Sequence, residues 1–294
     1  MKIWCFDDSH RWGEELHAVA TRRGHDARLF DSLATPTDGH VFMHMHHHPN
    51  VRAAHKRMMQ HFATNPDLTV VPDYRSAMLY DDKIEQLRQF SRWMPRTRLF
   101  KSPGAARRYL DEGPVFPFIS KTSEGASSNN VRLIKDIDEA KTEIKRAFSD
   151  LGIKCHYGQF QHGYLYWQDF IPDNDHDIRI IAIGDHRLLL RRGNREKLPF
   201  ASGSGILEPI IKLDRECEEA LAFADRFFKD EHQMWCGIDV VKNKSTGKWY
   251  LLETTVGWKM SGYFDCRFFP DGRLGKEIWD VFIDQLEQGK FDHH

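Results

Sequence analysis

Two carboxylates stand inside hydrophobic strands. In "GIDVVKNKSTGKWYLLETT", Gly237 to Thr255, two apolar runs flank a polar turn at 243–247. Asp239 and Glu253 sit among Ile238, Val240, Val241, Leu251 and Leu252. A carboxylate among buried aliphatics is costly unless it is paired or holds a cation. Two of them about 4 Å apart repel by roughly 4 kcal/mol at an effective dielectric near 20, and cross-strand neighbours come that close. A divalent cation removes the repulsion, and Mg²⁺ favours a few carboxylates together with phosphate oxygens. Exposure to solvent, or pairing with Arg and Lys, is the plainer account of the same two residues. Taken alone, the hairpin favours that plainer account.

Other segments add to the set. "FPFISK" ends an apolar strand at Lys121, and a Gly/Ser/Asn loop from Ser123 to Asn130 follows. Such a loop lets backbone N–H groups approach a phosphate while the lysine supplies charge. It is not a GxxxxGK[ST] loop, because that pattern is absent and a strand follows. Taken alone, it reads as a surface hairpin. "YWQDFIP" (166–172), "DIR" (177–179) and "DDK" (81–83) complete the series with "R-x-N" in the stretch 191–194. In "RR", strand alternation puts Arg191 and Arg192 on opposite faces, and Arg192 is the choice for the site. The "HMHHHP" stretch carries His44, His46, His47 and His48. Period two would place His44, His46 and His48 on one face. Three histidines on one extended segment rarely converge on an ion, so they read as polar lining of a cleft rather than a zinc site.

The elements that must position these groups fall into two styles. The first seventy-odd residues alternate strand and helix: "KIWCF", a helix over "SHRWGEELHAVATRRG" with Ser9 as N-cap and Gly24 as stop, "DARLFD", "GHVFMHMH", a helix over "NVRAAHKRMMQHFATNP", and "LTVVPD". That alternation predicts a parallel sheet covered by helices. After Pro72 the pattern becomes hairpins and packed helices. It includes a polar helix over "DDKIEQLRQFSRWM" and a long hairpin, "DIRIIAIGDHRLLLRRGNR", turning at Gly184-Asp185. Helices over "DEAKTEIKRAFSDLG", "DRECEEALAFADRFFKD" and "GKEIWDVFIDQLEQG" complete it.

Composition narrows the classes. The chain has 294 residues, with 42 Lys and Arg against 43 Asp and Glu, so no basic excess points to nucleic acid or an anionic membrane. No apolar run is long enough to span a bilayer, and no signal pattern opens the chain. Cys5, Cys155, Cys217, Cys236 and Cys266 are scattered without a CxxC pair. That favours reduced thiols and a cytoplasmic location.

The ordered series DDK, PFISK with its loop, QDFI, DIR, R-x-N, GIDVV and LLE resembles the ATP-grasp superfamily. It is most similar to carboxylate–amine ligases of the ribosomal-protein glutamate-ligase type. The resemblance runs from about Leu79 to the end, with the N-terminal unit in the place of the usual preceding domain. It implies that Lys83 and Lys121 contact ATP phosphates, with Ser127 and Ser128 beside them. It implies that Gln168 and the backbone of Asp169 and Ile171 read the adenine edge, that Phe170 and Ile119 wall it, and that Asp177 lies near the ribose. Arg179 and Arg192 would act at the reacting phosphate or acyl group, and Asp239, Glu253 and Thr255 would hold Mg²⁺. The family's metal strand reads E-x-N, whereas this chain has Glu253-Thr254-Thr255. A Thr hydroxyl ligates Mg²⁺ in phosphate loops, and here it replaces an amide.

The expected fold is α/β plus α+β. A parallel N-terminal domain over 1–78 precedes a two-lobed ATP-grasp domain over 79–294, with a small lobe near 97–165 and a large lobe near 166–294. The expected reaction activates a carboxylate as an acyl phosphate and joins it to an amine, using ATP and Mg²⁺. Phosphoryl transfer to a hydroxyl, or nucleotide binding without turnover, are the alternatives. "RRGNREKLPFASGSG", with Arg195 and a mobile Ser202–Gly205 stretch, is the expected substrate loop. The expected partners are small-molecule or peptide carboxylates and amines, with neither membrane nor nucleic acid, and a homodimer is left open.

Overall fold

The computed structural model describes residues 1–8, 10–31, 36–125, 131–155, 158–194 and 206–292. The N-terminal unit runs β1 (Lys2–Phe6), α1 (Trp12–Arg22), β2 (Asp26–Phe30), β3 (Gly39–Phe42), α2 (Pro49–Phe62) and β4 (Leu68–Val71). Its four strands are parallel, in the order β2-β1-β3-β4. α1 buries Trp12, Leu16 and Ala20, one residue per turn, against the sheet. Arg11, in a left-handed conformation, stands at its N-cap without a side-chain hydrogen bond, and Gly24 adopts positive φ just past its end. Ser9, expected as the cap, lies outside the described residues. β1 and β3 are neighbours, and the chain leaves them toward opposite edges of the sheet. The loops after them therefore flank its topological switch point.

Two short helices follow, α3 (Tyr74–Leu79) and α4 (Lys83–Phe90), capped by Asp73 and Asp82, which accept from Ser76 N and Glu85 N. The helix that the sequence predicts over 81–94 forms as α4, shorter at both ends; α3 was not foreseen, and Asp81, with a φ of 50°, separates the two. The second unit runs β5 (Thr97–Phe100), α5 (Pro103–Asp111), β6 (Phe118–Lys121), β7 (Val131–Ile134), α6 (Ile137–Ala147), a separate two-stranded pair β8 (Ile153–Lys154) and β9 (Phe160–Gln161), and β10 (Leu165–Asp169); its main sheet has four strands. Its antiparallel order is β5-β10-β6-β7. α5 and α6 cover one face through Ala106, Leu110, Ala140 and Ile144. α5 was not foreseen: Ser102 caps it and Pro103 opens it, a start signal in plain view.

The third sheet takes β11 (His176–Ile183), β12 (His186–Gly193), β13 (Leu207–Pro209), α7 (Arg215–Asp230), β14 (Trp235–Lys242) and β15 (Trp249–Thr255), and α8 (Ile278–Glu287) ends the fold. The order is β13-β12-β11-β14-β15, antiparallel throughout. One face carries Ile178, Ile180, Ile238, Val240 and Leu251 against α7. The opposite face carries Ile181, Ile183, Leu188 and Leu190 in a core shared with the N-terminal sheet and α8. Each such aliphatic contributes roughly 1.5–3 kcal/mol on burial. Both faces are therefore covered, and the charged residues Asp177, Arg179, Arg192 and Asp239 cluster on three neighbouring strands. No helix among the described residues is long and apolar enough to cross a membrane.

Candidate active site

A cavity of about 800 Å³ opens where the three sheets meet. Strand alternation explains what faces it. Asp177 and Arg179 share parity with Ile181 on β11, Arg192 shares it with Leu190 on β12, and Arg179 pairs across to Asp239 on β14. Toward the ends of these strands the face shared with the N-terminal sheet becomes polar. On β15 the register slips between Asp239 and Val240, so Asp239 pairs with Glu253 while Val240 pairs with Leu251. The bulge leaves Leu251 in the core and brings Leu252 and Glu253 together into the cavity. Nothing in the sequence announces that slip.

The two acids of the opening hairpin are not alone. Arg179 donates Nε to Asp239 Oδ1 at 2.6 Å and Nη2 to Oδ2 at 2.8 Å. Arg192 donates Nε and Nη2 to Asp177 at 2.7 and 2.9 Å, and its Nη2 also lies 2.6 Å from Asp239 Oδ2. Burial works against the Asp239 carboxylate, but the two guanidinium groups outweigh it and hold its pKa well below the usual range. Lys83 Nζ meets Glu253 Oε1 at 3.0 Å and donates to Gly125 O at 3.1 Å. Burial disfavours this ammonium too, yet Glu253 and Asp81 overcome it and raise its pKa.

Lys121 differs. Its Nζ donates to Gln168 Oε1 at 2.8 Å, and Gln168 Nε2 donates on to Thr97 Oγ1 at 3.0 Å. With a neutral amide as this partner, burial dominates and pulls its pKa down to about 8, with Lys83 adding to the effect and Glu253 opposing it. A polyanion entering the cavity would supply the charge Lys121 lacks. Ile119, Val131, Phe170, Val241 and Leu252 give the same cavity an apolar side.

The structure brings Lys83, Lys121, Gln168, Asp169, Ile171, Asp177, Arg179, Arg192, Asp239, Glu253 and Thr255 to one cavity. Arg191 points elsewhere, to Glu208 at 3.0 Å and Asp214 at 2.7 Å, as the alternation of "RR" requires. Ser127 and Ser128 lie outside the described residues, as do Arg195 and the Ser202–Gly205 stretch. Thr255 Oγ1 donates to Gly257 O at 2.7 Å. Gly257 is required by close approach: a Cβ there would meet Met45 O at 2.7 Å and Tyr80 Oη at 3.1 Å.

Sequence reasoning missed Asp81, which accepts from Gly125 N at 2.8 Å and pairs with Arg52 of α2. Its neighbour Lys83 drew attention, and the acid beside it was the available signal. His10 was also missed. The expected single face of His44, His46 and His48 does not form, because β3 ends at Phe42 and the alternation ends with it. His10 and His47 line the cavity, and His46 stacks between them.

No known family profile matches the chain, and no curated protein matches it in sequence. Solved structures do match. A RimK-domain ATP-grasp protein from Sphaerobacter thermophilus is 16% identical, over 97% of this chain and 99% of that one, with a TM-score of 0.63. The D-alanine–D-alanine ligase of Bacillus anthracis is 14% identical, over 99% of both chains, with a TM-score of 0.63. The ATP-grasp ligase PsnB, solved with a minimal precursor, Mg and ADP, is 16% identical over 97% of this chain and 98% of that one, at 0.62. At such identities the likeness is one of fold: this chain has the ATP-grasp fold.

Proposed function

We propose that this chain is an ATP-dependent ligase that converts a substrate carboxylate to an acyl phosphate and joins it to an amine, releasing ADP and phosphate. The observation that carries the reading is one cavity holding Lys83, Lys121, Arg179 and Arg192 beside an apolar slot and a pair of facing carboxylates. An anion attacking a polyanion builds charge, and fixed cations in a dry cleft offset it. No covalent enzyme nucleophile is needed.

In this reading the adenine lies against Ile119 and Phe170. The Asp169 N–H is already donated to Arg96 O at 2.9 Å, so a contact to the base at Asp169 falls to the carbonyl. Lys121 and Lys83 take the phosphates. Arg179 and Arg192 face the transferring phosphoryl group and the acyl phosphate that forms, held in place by Asp239 and Asp177. The amine then displaces phosphate at the acyl carbon. Glu253, Asp239 and Thr255 are hard oxygen donors on one strand pair, a set that fits Mg²⁺. When bound there, Mg²⁺ supplies neutralisation of the phosphate oxygens.

We divide the chain into an N-terminal domain over 1–78 and a two-lobed domain over 79–294; the lobe boundary, expected near 165/166, is better put within 170–175, because β10 pairs with β5 and β6. The acceptor is a small molecule or a peptide. PsnB and other matched ligases were solved with precursor peptides, which supports testing peptides first.

The test is ADP release across a panel of carboxylates, amines and short acidic peptides, with mass spectrometry of the products. Amide products with stoichiometric ADP are expected. A stable phosphorylated product without ligation makes the chain a kinase. Tight ATP binding without turnover across the panel makes it a binding module.

A further inference from the structure

The loops at the switch point of the N-terminal sheet carry histidines for which the proposed reaction has no use. His10 follows β1, and His44, His46, His47 and His48 follow β3. Crevices at such switch points are where open α/β sheets take ligands. One candidate ligating atom each from His10, His46 and His47 lies within 4.8 Å of the other two. The rings form a stack, His10 to His46 at 4.9 Å and His46 to His47 at 4.6 Å. Each loop is held locally: Asp8 Oδ1 accepts His10 N at 2.6 Å, and His46 Nδ1 accepts His48 N at 2.9 Å. Behind them His44 is 5% exposed, lies edge-on to His10, and has an Nδ1 without a hydrogen-bond partner.

We propose that His10, His46 and His47 bind one divalent transition metal of the zinc class, at the N-terminal end of the cavity and apart from the Asp239–Glu253 pair. Three imidazole nitrogens suit Zn²⁺ and its neighbours, whereas Mg²⁺ demands oxygen. Ligand nitrogens of a tetrahedral site with bonds of about 2.0–2.1 Å stand about 3.3 Å apart. The set must therefore contract, and His10, exposed on its loop, has the freedom to move.

The tautomer sets a cost. His46 now accepts at Nδ1, so its neutral ring carries the proton on Nε2. Ligation through Nε2 moves that proton to Nδ1, and ligation through Nδ1 replaces the His48 N–H. Either way one neutral hydrogen bond opens, a small term beside three metal–nitrogen bonds. With only three protein ligands a coordination position stays open. His10 and His47 both line the cavity, so that position faces the substrate space. It would take water or a lone-pair donor of the substrate: a carboxylate, an amine or a thiolate.

The test uses the full chain, stripped with chelator, without nucleotide and in millimolar Mg²⁺, so that its outcome is independent of the ligase reading. Co²⁺ should saturate at one equivalent with the intense visible bands of a four- or five-coordinate site, and Zn²⁺ should displace it. His46→Gln and His10→Ala should each weaken binding at least about tenfold. His61→Ala, on the exposed face of α2, and a chain ending at Asp292 should bind as the parent does. His10 is exposed, so His10→Ala remains informative should His46→Gln fail to fold. The backbone amide of His48 should shift on Zn²⁺ addition. Six-coordinate Co²⁺ bands, binding lost equally in His61→Ala or the shortened chain, or parental affinity in His10→Ala would each overturn the site.

Discussion

Arg179 holds Asp239 in a two-point fork, Nε to Oδ1 at 2.6 Å and Nη2 to Oδ2 at 2.8 Å, and the two residues are direct cross-strand partners. The acid that seemed stranded between aliphatics is thus satisfied by its neighbour on β11. Glu253, across on β15, meets the lysine Lys83 instead. The two acids of the hairpin are therefore different kinds of group.

That difference is measurable. Asp239→Asn leaves two buried guanidinium groups without their shared anion, and should cost about 3–5 kcal/mol in urea unfolding. Glu253→Gln keeps an amide oxygen that can accept from the buried Lys83, and Asp81 still lies 3.8 Å from that ammonium, so it should cost less, about 1–2 kcal/mol. The same Glu253→Gln protein should lose Mg²⁺-dependent turnover while keeping its fold. Equal unfolding penalties for the two variants would contradict the distinction.

On the proposed reading, nucleotide binding is proton-linked through Lys121. Its folded pKa of about 8 lies below the ordinary 10.5. Between those values the unfolded chain binds more protons, so this group makes folding stability rise with pH there, and its full penalty stands below about pH 8. Phosphates bound there would favour the ammonium and raise the pKa again. Calorimetry at pH 8.5 in buffers of different ionisation enthalpy should show proton uptake on ATP binding. Lys121→Met should remove it. Uptake that persists in the variant would assign the proton elsewhere.

Thr255 separates a ligand from a strut. Its hydroxyl donates to Gly257 O at 2.7 Å, which leaves oxygen lone pairs for a cation. Thr255→Val should lose about 1 kcal/mol of stability and raise the Mg²⁺ needed for half-maximal turnover. Thr255→Asn should restore an oxygen and a lower requirement. A Val variant matching the parent across the Mg²⁺ titration would leave Asp239 and Glu253 as the only hairpin ligands.

Gly257 should tolerate nothing larger. A Cβ would stand 2.7 Å from Met45 O, forcing β15 and the N-terminal sheet apart. Gly257→Ala is expected to destabilise by about 1–3 kcal/mol. Gly104→Ala, where a Cβ meets only a flexible arginine tip at 3.7 Å, is the control and should be near neutral. A thermal melt of both proteins decides it.

Much of the fold was legible because it follows period, whereas the candidate site residues came from the order of the motifs. Alternation put Arg191 and Arg192 on opposite faces without saying which faces the cavity, and the strand–helix rhythm of the first seventy-odd residues produced the parallel sheet. What escaped has no period. The slip beside Asp239 depends on how two strands pair rather than on either strand's composition. The break at Asp81 is a single dihedral angle. His10 meets His46 and His47 only because β1 and β3 lie side by side, and no local window contains both loops. The hairpin acids remained ambiguous for the same reason: their partners lie up to 170 positions away, as Lys83 and Glu253 do.

β10 ends at Asp169 in the small sheet and β11 begins at His176 in the large one. The stretch 170–175 between them contributes Phe170, Ile171 and Asn174 to the cavity wall. On the proposed reading, the peptide that would touch a bound base is thus also the connection between two sheets. A ligand lodged there acts as a splint, and occupancy becomes a mechanical quantity. Relative motion of the lobes, and protease access to the tether, would fall together as the slot fills.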